Sequence, residues 1–335
     1  MKAHPPRIAG LIAVVLAAAS LTACTSASTA SNAPASPTAD AQYPLTIDNC
    51  GSDVTLTHAP QRIVMVNNDA LATLEALDAV DRVVAVTATP QAELYQPATV
   101  AMIDKLSVLS TQKNATGGSI VSQESILGAQ PDLVIAPESA VDRAALTAAG
   151  IPVYSPSAYC QNPPPAYTQT ATFQRVWDEL TMFGAMLGVP ELAASAIADA
   201  QAELGSTGVA DKGTAAALYV SSGGTTLSPY GGPSMVTPVF AAAGLQNVYT
   251  DTPERVFDAS LEDLLSRDPH TIVLLYSGGD PQATIDAFLS APGVSGLSAV
   301  QGGRVVALAF PYTDPPSVLS TRGPAELSKL LAELP

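Results

Sequence analysis

Short runs of apolar, often β-branched residues alternate with longer stretches of helix-forming residues from about residue 62 onward. Such short runs predict buried strands, and the stretches between them predict helices. In the first half, the predicted strands are 62–66, 82–87, 131–136 and 151–154, and the predicted helices are 70–79, 122–129 and 141–149. This alternation is typical of a parallel sheet that is covered by helices.

A long helical stretch follows from Ala171 to Leu204, with a break at 188–190. Pro190 is well placed to open a second helix, which would be about 22 Å long and could join two lobes. The alternation then restarts, with strands predicted at 215–221, 271–276 and 304–309 and helices at 236–243 and 324–334. We therefore expect an α/β fold with two Rossmann-like lobes, a single long rigid helix between them, and a ligand cleft between the lobes.

An internal repeat relates the two halves, because residues 123–135 align without gaps with residues 261–273. In each copy a glutamate, Glu124 or Glu262, lies seven residues before a proline that opens a buried strand. Each glutamate falls near the start of a short helix, where the helix dipole favours a negative charge. The repeat predicts two related lobes that each present one glutamate at an equivalent position.

The first residues are typical of a secretion signal, with Lys2 and Arg7 ahead of an apolar core at 8–19 that is too short to span a bilayer. The sequence Leu-Thr-Ala-Cys that ends at Cys24 resembles a bacterial lipobox, in which the chain is cut before the cysteine and its sulfur is lipidated. An ordinary cleavage site with an incidental cysteine is the alternative. Residues 25–42 are almost wholly Ser, Thr, Ala, Pro and Asn, which predicts a disordered tether.

These features predict an extracytoplasmic protein that is held at the cell membrane only by lipid. The expected segments are a signal peptide at 1–23, a tether at 24–42, a first α/β lobe at 43–188, a bridging helix at 189–207 and a second α/β lobe at 208–335. The net charge of −16 argues against nucleic acid as a partner.

Three cysteines are present, and Cys50 and Cys160 remain if Cys24 carries lipid. In an oxidising compartment, an even pair predicts a disulfide. Chain-entropy models give roughly 4–5 kcal/mol for closing a loop of about a hundred residues. Two unrelated buried thiols are the alternative.

Motifs for catalysis are sparse. Ser110 and Lys113 fit the S-x-x-K pattern of penicillin-recognising enzymes, but the accompanying S-D-N and K-T-G elements are absent from the sequence. His58 or His270 would have to act as the base of a catalytic triad, but the sequence has no G-x-S-x-G motif to supply the nucleophile. Two histidines are also too few for a bare transition-metal site. We expect no catalytic residue, no directly bound metal and no resident cofactor, with a secreted serine hydrolase as a remote alternative.

Several segments, by their order and spacing, resemble the class III periplasmic binding proteins of ABC importers for ferric siderophores, haem and cobalamin. The matching segments are 60–66, 74–86, 124–136, 146–153, 244–248, 261–275 and 303–306. The resemblance implies two lobes, one rigid helix and a ligand held between the lobes, and stretch 190–204 matches that helix. It also implies that Glu124 and Glu262 dock onto arginines of the permease, although each could simply be a favourable first-turn charge.

The implied partners are a small-molecule ligand and an ABC permease dimer with its ATPase, and the protein is expected to be a monomer. A scavenging or sensing lipoprotein of the same fold, independent of a permease, is the alternative. The expected ligand is a ferric siderophore or a similar chelate or large cofactor, such as a corrinoid, haem or a flavin-like coenzyme.

Ligand contacts are expected in loops at the carboxyl ends of the strands. The candidates are Asn67, Asn68, Asp69, Lys113, Tyr159, Ser221, Ser222, Thr225, Tyr230, Tyr276 and Tyr312. Any one of them could equally have a structural role. Because these loops are poor in Arg and Lys apart from Lys113, a highly anionic ferric chelate is disfavoured.

Overall fold

The computed structural model describes residues 43–114, 117–205, 210–220 and 227–335. The predicted lipidation site Cys24 and the ligand candidates Ser221, Ser222 and Thr225 lie outside the described residues.

The strands are β1 Leu45–Asn49, β2 Ser52–Leu56, β3 Ile63–Met65, β4 Val83–Val86, β5 Ser107–Val108, β6 Leu133–Ile135, β7 Val153–Tyr154, β8 Thr214–Val220, β9 Leu227–Pro229, β10 Gln246–Asn247, β11 Thr271–Tyr276 and β12 Val305–Ala309. The helices are α1 Leu71–Ala76, α2 Pro97–Ile103, α3 Gln123–Gly128, α4 Arg143–Ala148, α5 Gln174–Leu187, α6 Pro190–Leu204, α7 Val236–Ala243, α8 Leu261–Arg267, α9 Pro281–Leu289, α10 Ser298–Gln301 and α11 Val318–Ala332.

The first sheet has the order β5-β4-β3-β6-β7, and all of its strand pairs are parallel. Successive residues of β3 face opposite sides, because side chains alternate along a strand. Ile63 and Met65 pack in a core with α1 and α5, whereas Val64 packs on the other face with α3 and α4. Burial of both faces explains why this strand is apolar throughout.

The second sheet has the order β10-β8-β11-β12 with parallel pairing, and β9 adds to β8 in the antiparallel direction. Val273 and Leu275 of β11 pack with α7 and α11, and Ile272 and Leu274 pack on the opposite face with α8 and α9. The predicted α/β class, with a parallel helix-covered sheet in each half of the chain, is thereby confirmed.

Helices α5 and α6 lie between the two sheets in chain order, and the predicted break between them is confirmed. Gly188 ends α5 with a left-handed φ of 70°, and Pro190 occupies the first turn of α6. The two helices approach so closely that a Cβ on Gly184 would come within 2.4 Å of the Ala193 Cβ, so only glycine fits there. The predicted lobe boundaries and the bridging role of α6 stay predictions.

The last helix corrects the sequence-based expectation, because it begins at Val318 and carries Pro324 inside it instead of at its start. Ser317 caps the helix by accepting a hydrogen bond from the Leu319 amide at 3.2 Å. The first turns are buried, including Leu319 and Thr321. Packing therefore outweighs the helix-breaking tendency of the internal proline.

An antiparallel hairpin of β1 and β2 precedes the first sheet and was not predicted. Its buried side is narrow, with Ile47, Val54 and Leu56 packed into the first core. The predicted disulfide between Cys50 and Cys160 is present and closes across 110 residues of sequence. Within the described ranges, no helix has both the length and the apolar character needed to cross a membrane.

Candidate functional site

A cavity of about 1070 Å³ is open to solvent and lined by loops that follow strands of both sheets. Its volume lies slightly above the range that is usual for small-molecule sites, roughly 300–1,000 Å³. The first sheet contributes the segments 67–69, 87–91 and 117–121 to its wall, and the second contributes 255–258 and 310–311. This arrangement matches the expectation that open α/β sheets present ligands at the carboxyl ends of their strands.

Asp69 follows β3 and lies on the cavity wall, where two neighbouring groups hold its carboxylate. The Tyr159 hydroxyl donates to Oδ1 at 3.1 Å, and the Asn67 amide donates to Oδ2 at 3.3 Å. Burial raises the pKa of Asp69 to about 6, although both hydrogen bonds oppose this rise. The structure therefore brings three of the predicted ligand candidates, Asn67, Asp69 and Tyr159, into one hydrogen-bonded group.

Lys113 also lines the cavity, and its ammonium group donates to the Ser119 hydroxyl at 2.7 Å. The Ser119 amide in turn donates to Asn67 Oδ1 at 2.9 Å, which links this lysine to the Asp69 group. Burial lowers the pKa of Lys113, and the nearby Asp69 opposes that decrease. One cation from the first half of the chain thus lies on the cavity wall, and its contact with a ligand stays a prediction.

Arg255 is a second cation on the cavity wall, and sequence reasoning missed it. Its guanidinium forms an ion pair with Asp314, whose side chain is 1% exposed. The same guanidinium lies over the rings of Tyr159 and Tyr230, at 5.1 and 6.0 Å from their centroids, within the distance for a cation–π contact. Burial alone would lower the pKa of Arg255, but Asp314 and the two tyrosines outweigh it and raise the pKa.

Two glycines after β9 explain how Arg255 reaches the cavity. The Gly231 amide donates to the Arg255 carbonyl at 3.1 Å, and the Gly232 amide donates to the Thr252 carbonyl at 3.0 Å. A Cβ on Gly231 would come within 2.2 Å of the Glu254 carbonyl oxygen, so no other residue permits this approach. The Gly-Gly pair was the available signal in the sequence, but it does not reveal which distant segment packs against it.

The remaining ligand candidates divide into two groups. Asn68 and Tyr230 line the cavity, and Asn68 Nδ2 donates to the Thr89 carbonyl at 2.8 Å. Tyr276 and Tyr312 are not on the cavity wall and instead pack against an apolar cluster that contains Ala309 and Leu319. Tyr276, at the end of β11, is directed toward this cluster. The placement of the two tyrosines does not favour a ligand contact, which stays a prediction for both.

The residues behind the hydrolase alternative are not assembled into a nucleophilic site. Lys113 contacts Ser119 and not Ser110, whose hydroxyl accepts a hydrogen bond from the Gln112 amide at 3.1 Å. His58 and His270 are both exposed, and neither is on the wall of the cavity. Within the described residues, neither Ser110 nor either histidine therefore belongs to a serine–base pair on the cavity wall.

Among the described residues, one group of three possible metal ligands is close enough to hold an ion, and it comprises Cys50, Glu138 and Cys160. Both of its cysteines are joined in the disulfide, so neither can offer a thiolate. This group is therefore part of the covalent framework of the protein and is not suited to bind a metal in the oxidised state.

The two glutamates of the internal repeat have matching surroundings. Glu124 lies in the first turn of α3, and Glu262 lies in the first turn of α8; both are exposed. Each helix is capped by a serine two residues before its glutamate, and both cap hydrogen bonds, to Ser122 and to Ser260, measure 3.1 Å. The sequence repeat is thus also a repeat of local structure.

A family model described as "Periplasmic binding protein" matches residues 63–312, which is most of the chain and includes both sheets. The chain belongs to this family. The matched range contains the cavity wall from Asn67 to Pro311 and leaves the hairpin of β1 and β2 outside. The predicted resemblance to the class III periplasmic binding proteins is thereby confirmed. No curated protein sequence matches the chain.

Solved structures of this type resemble the chain over nearly their whole length. The crystal structure of an ABC-type Fe3+-hydroxamate transport system from Saccharomonospora viridis DSM 43017 is 34% identical, with a TM-score of 0.80, and the match covers 86% of this chain and 99% of that one. A haem-binding protein from Roseiflexus sp. RS-1 is 22% identical, with a TM-score of 0.61 and coverage of 81% and 97%. A vitamin B12-binding protein of Vibrio cholerae is 19% identical, with a TM-score of 0.54 and coverage of 82% and 97%. The last two show the shared fold alone.

Proposed function

We propose that this binding protein is the lipid-anchored component of an ABC importer and that its cavity takes a ferric siderophore without a large net charge, such as a ferric trihydroxamate. The observation that carries the proposal is the balance of charge on the cavity wall. Among the described residues that line it, two are cationic, Lys113 and Arg255, and two are acidic, Asp69 and Asp258.

Charge balance matters because an uncompensated charge is costly to remove from water. Three hydroxamates neutralise Fe(III), whereas three catecholates leave the complex with three negative charges. Arg255 cannot compensate such an anion fully, because it is already paired with Asp314. The neutral complex therefore fits the wall better, and the Fe3+-hydroxamate transport protein of Saccharomonospora viridis supports the same ligand class.

The first prediction concerns this ligand class. We expect ferrichrome, a neutral ferric trihydroxamate, to bind at least about a hundredfold more tightly than ferric enterobactin, a tris-catecholate, because the latter brings uncompensated charge into the cavity. Titration of the intrinsic fluorescence of the purified protein, which contains a single tryptophan, measures both affinities.

The gallium complexes of the same two siderophores serve as controls, because they keep the charge and shape of the iron complexes without iron-dependent quenching. Haem and cobalamin complete the panel. Equal or tighter binding of the tris-catecholate, or selective binding of haem or cobalamin, would contradict the proposed ligand class.

A second prediction concerns the lipid anchor, which rests on the signal and lipobox ending at Cys24. Cys24→Ala removes the sulfur that would carry the acyl chains, and two or more chains are enough for stable anchoring. We expect the parent protein in the membrane fraction and the variant outside it. Ser26→Ala, two residues further on, is the matched control and should remain with the membrane. Equal membrane association of Cys24→Ala and its parent would rule out the lipid anchor.

Docking to the permease completes the proposal, with Glu124 and Glu262 as the contact residues. Their matched positions and exposure support this role, because one carboxylate on each half of the molecule suits a permease with two related subunits. Carboxylates and arginines form strong, directional pairs, which is the chemistry that such a contact needs.

A further inference from the structure

The hairpin of β1 and β2 lies outside the range matched by the family model, yet its turn contacts the segment that carries Tyr159, a residue of the cavity wall. The turn carries Asn49, which is buried, and Cys50, whose backbone has a left-handed φ of 58°. Both residues point to the segment that follows β7, here called the wall segment and defined as residues 155–161.

Asn49 holds the start of the wall segment with a pair of reciprocal hydrogen bonds. Its Nδ2 donates to the Ser155 carbonyl at 2.8 Å, and its Oδ1 accepts from the Ser155 amide at 2.8 Å. Arg143 secures both partners, since it donates to the Asn49 carbonyl at 2.6 Å and to the Ser155 hydroxyl at 2.9 Å. These groups are buried or half-buried, so water does not compete for them as freely as at the surface.

The far end of the wall segment is fixed covalently. Cys160 forms the disulfide with Cys50, and the next amide, that of Gln161, donates to a Glu138 oxygen at 2.6 Å. Between the two ends the segment contains one short 3-10 turn, Ser157–Tyr159, and no strand or longer helix. The Ser157 hydroxyl also donates to the buried Glu179 carboxylate at 2.6 Å. The order of the segment therefore depends on side-chain and covalent contacts and not on a hydrogen-bonded ladder of its own.

The residue that this framework holds is Tyr159, the immediate neighbour of Cys160. Its hydroxyl donates to Asp69 and its ring lies beneath the Arg255 guanidinium, so it touches charged groups from both halves of the cavity wall. A small displacement of the backbone at residue 159 would release both contacts. The hairpin turn is therefore connected to Tyr159 by the Cys50–Cys160 disulfide and the peptide bond between Tyr159 and Cys160.

We propose that the hairpin is part of the binding machinery: through Asn49 and the Cys50–Cys160 disulfide it positions Tyr159 in the cavity wall, so opening the disulfide weakens ligand binding. This inference rests on one part of the proposed function, namely that a chelate binds in the cavity. Tyr159 is the contact residue, and the two cysteines and Asn49 are positioning residues. Preorganisation of this kind raises affinity, because the ordering cost is met before the ligand arrives.

A double-mutant cycle tests the path with ferrichrome as the probe. Its arms are Cys50→Ser with Cys160→Ser, Tyr159→Ala, and the three changes together. We expect each arm to weaken binding by about tenfold and the combined variant to weaken it by no more than about tenfold, because both arms remove the same contact. If the effects multiply to about a hundredfold, or if loss of the disulfide leaves the affinity unchanged, the proposed path is wrong.

Val54→Ala is the matched control for general weakening of the hairpin. Val54 is buried in the hairpin but lies away from the turn, so its truncation lowers stability without breaking the contacts to the wall segment. We expect the affinity for ferrichrome to change by less than about twofold in this variant. A loss as large as that of the cysteine variant would mean that the hairpin acts only through overall stability, and the proposal would fail.

A second measurement needs no ligand. Hydrogen exchange of the folded parent, before and after reduction by a phosphine, should show faster exchange in peptides covering residues 153–161 and no change in β11. Unchanged exchange in the wall segment after reduction would overturn the proposal. If the parent binds no ferrichrome, the proposed ligand class fails by itself, and this exchange result still decides whether the hairpin holds the wall segment.

Discussion

Arg255→Ala is expected to lower the free energy of unfolding by about 3–5 kcal/mol near neutral pH and to weaken ferrichrome binding. The reason is that Asp314, which is almost fully buried, loses its cationic partner. Removing one member of a buried ion pair typically costs this much because a charge is left uncompensated. Asp314 Oδ1 has no hydrogen-bond partner among the described residues. The other cation whose charge acts on Asp314 is Arg175, and its hydrogen bonds go to backbone carbonyls instead. Urea unfolding at fixed pH measures the change.

A companion variant separates the two effects of this substitution. Adding Asp314→Asn to Arg255→Ala removes the unpaired charge, so we expect most of the lost stability to return. Binding should stay weak, because the cation that faces the ligand is still missing. If ferrichrome affinity recovers together with stability, Arg255 supports the fold alone and does not contact the ligand.

The second large effect is expected for transport. Glu124→Ala combined with Glu262→Ala should abolish uptake or reduce it sharply, while ligand affinity stays close to that of the parent. Both side chains are exposed, and loss of a helix-dipole contact costs only roughly 0.3–1 kcal/mol at each position. Uptake of iron-55-labelled ferrichrome by intact cells that express the cognate permease measures the loss. Substitution by arginine at either site should be worse than by alanine, because like charges would then face each other.

Glu191→Ala provides the matched control for the transport experiment. Glu191 is also an exposed glutamate in the first turn of a helix, α6, but it has no counterpart in the repeat. We expect normal uptake from this variant. Normal uptake by the double variant would refute docking through the two glutamates, and loss of ligand affinity would place them at the cavity instead.

The elements that could be predicted from sequence are those whose signals are local. Helix α7 begins and ends as expected, because its apolar run stops at Gly244 in a left-handed conformation. Strand β11 also has its predicted bounds, since its apolar residues are buried on both faces. The first-turn positions of Glu124 and Glu262 were also predicted, from the repeat. In the structure, a serine cap two residues before each glutamate sets the start of the helix.

The parts that could not be predicted depend on contacts between distant residues. Arg255 lies in an irregular segment, and backbone pairing of this segment with β9 and Gly231 brings it to the cavity. The strands of the β1–β2 hairpin each have only two apolar positions, so their alternation is too short to stand out in the sequence. The start of α11 was placed too late, because burial of Leu319 is a tertiary effect that the internal Pro324 conceals.

The position of the disulfide in the chain makes the two halves of the molecule unequal in their resistance to denaturation. Cys50 and Cys160 enclose all strands of the first sheet, from β3 to β7, and none of the second sheet, whose first strand begins at Thr214. A cross-link restricts the unfolded chain only between its ends, so its stabilisation of roughly 4–5 kcal/mol acts on the first sheet. The disulfide therefore favours melting of the second sheet, with Arg255, before the first, and a chelate bound as proposed would then be released while the first sheet is still folded.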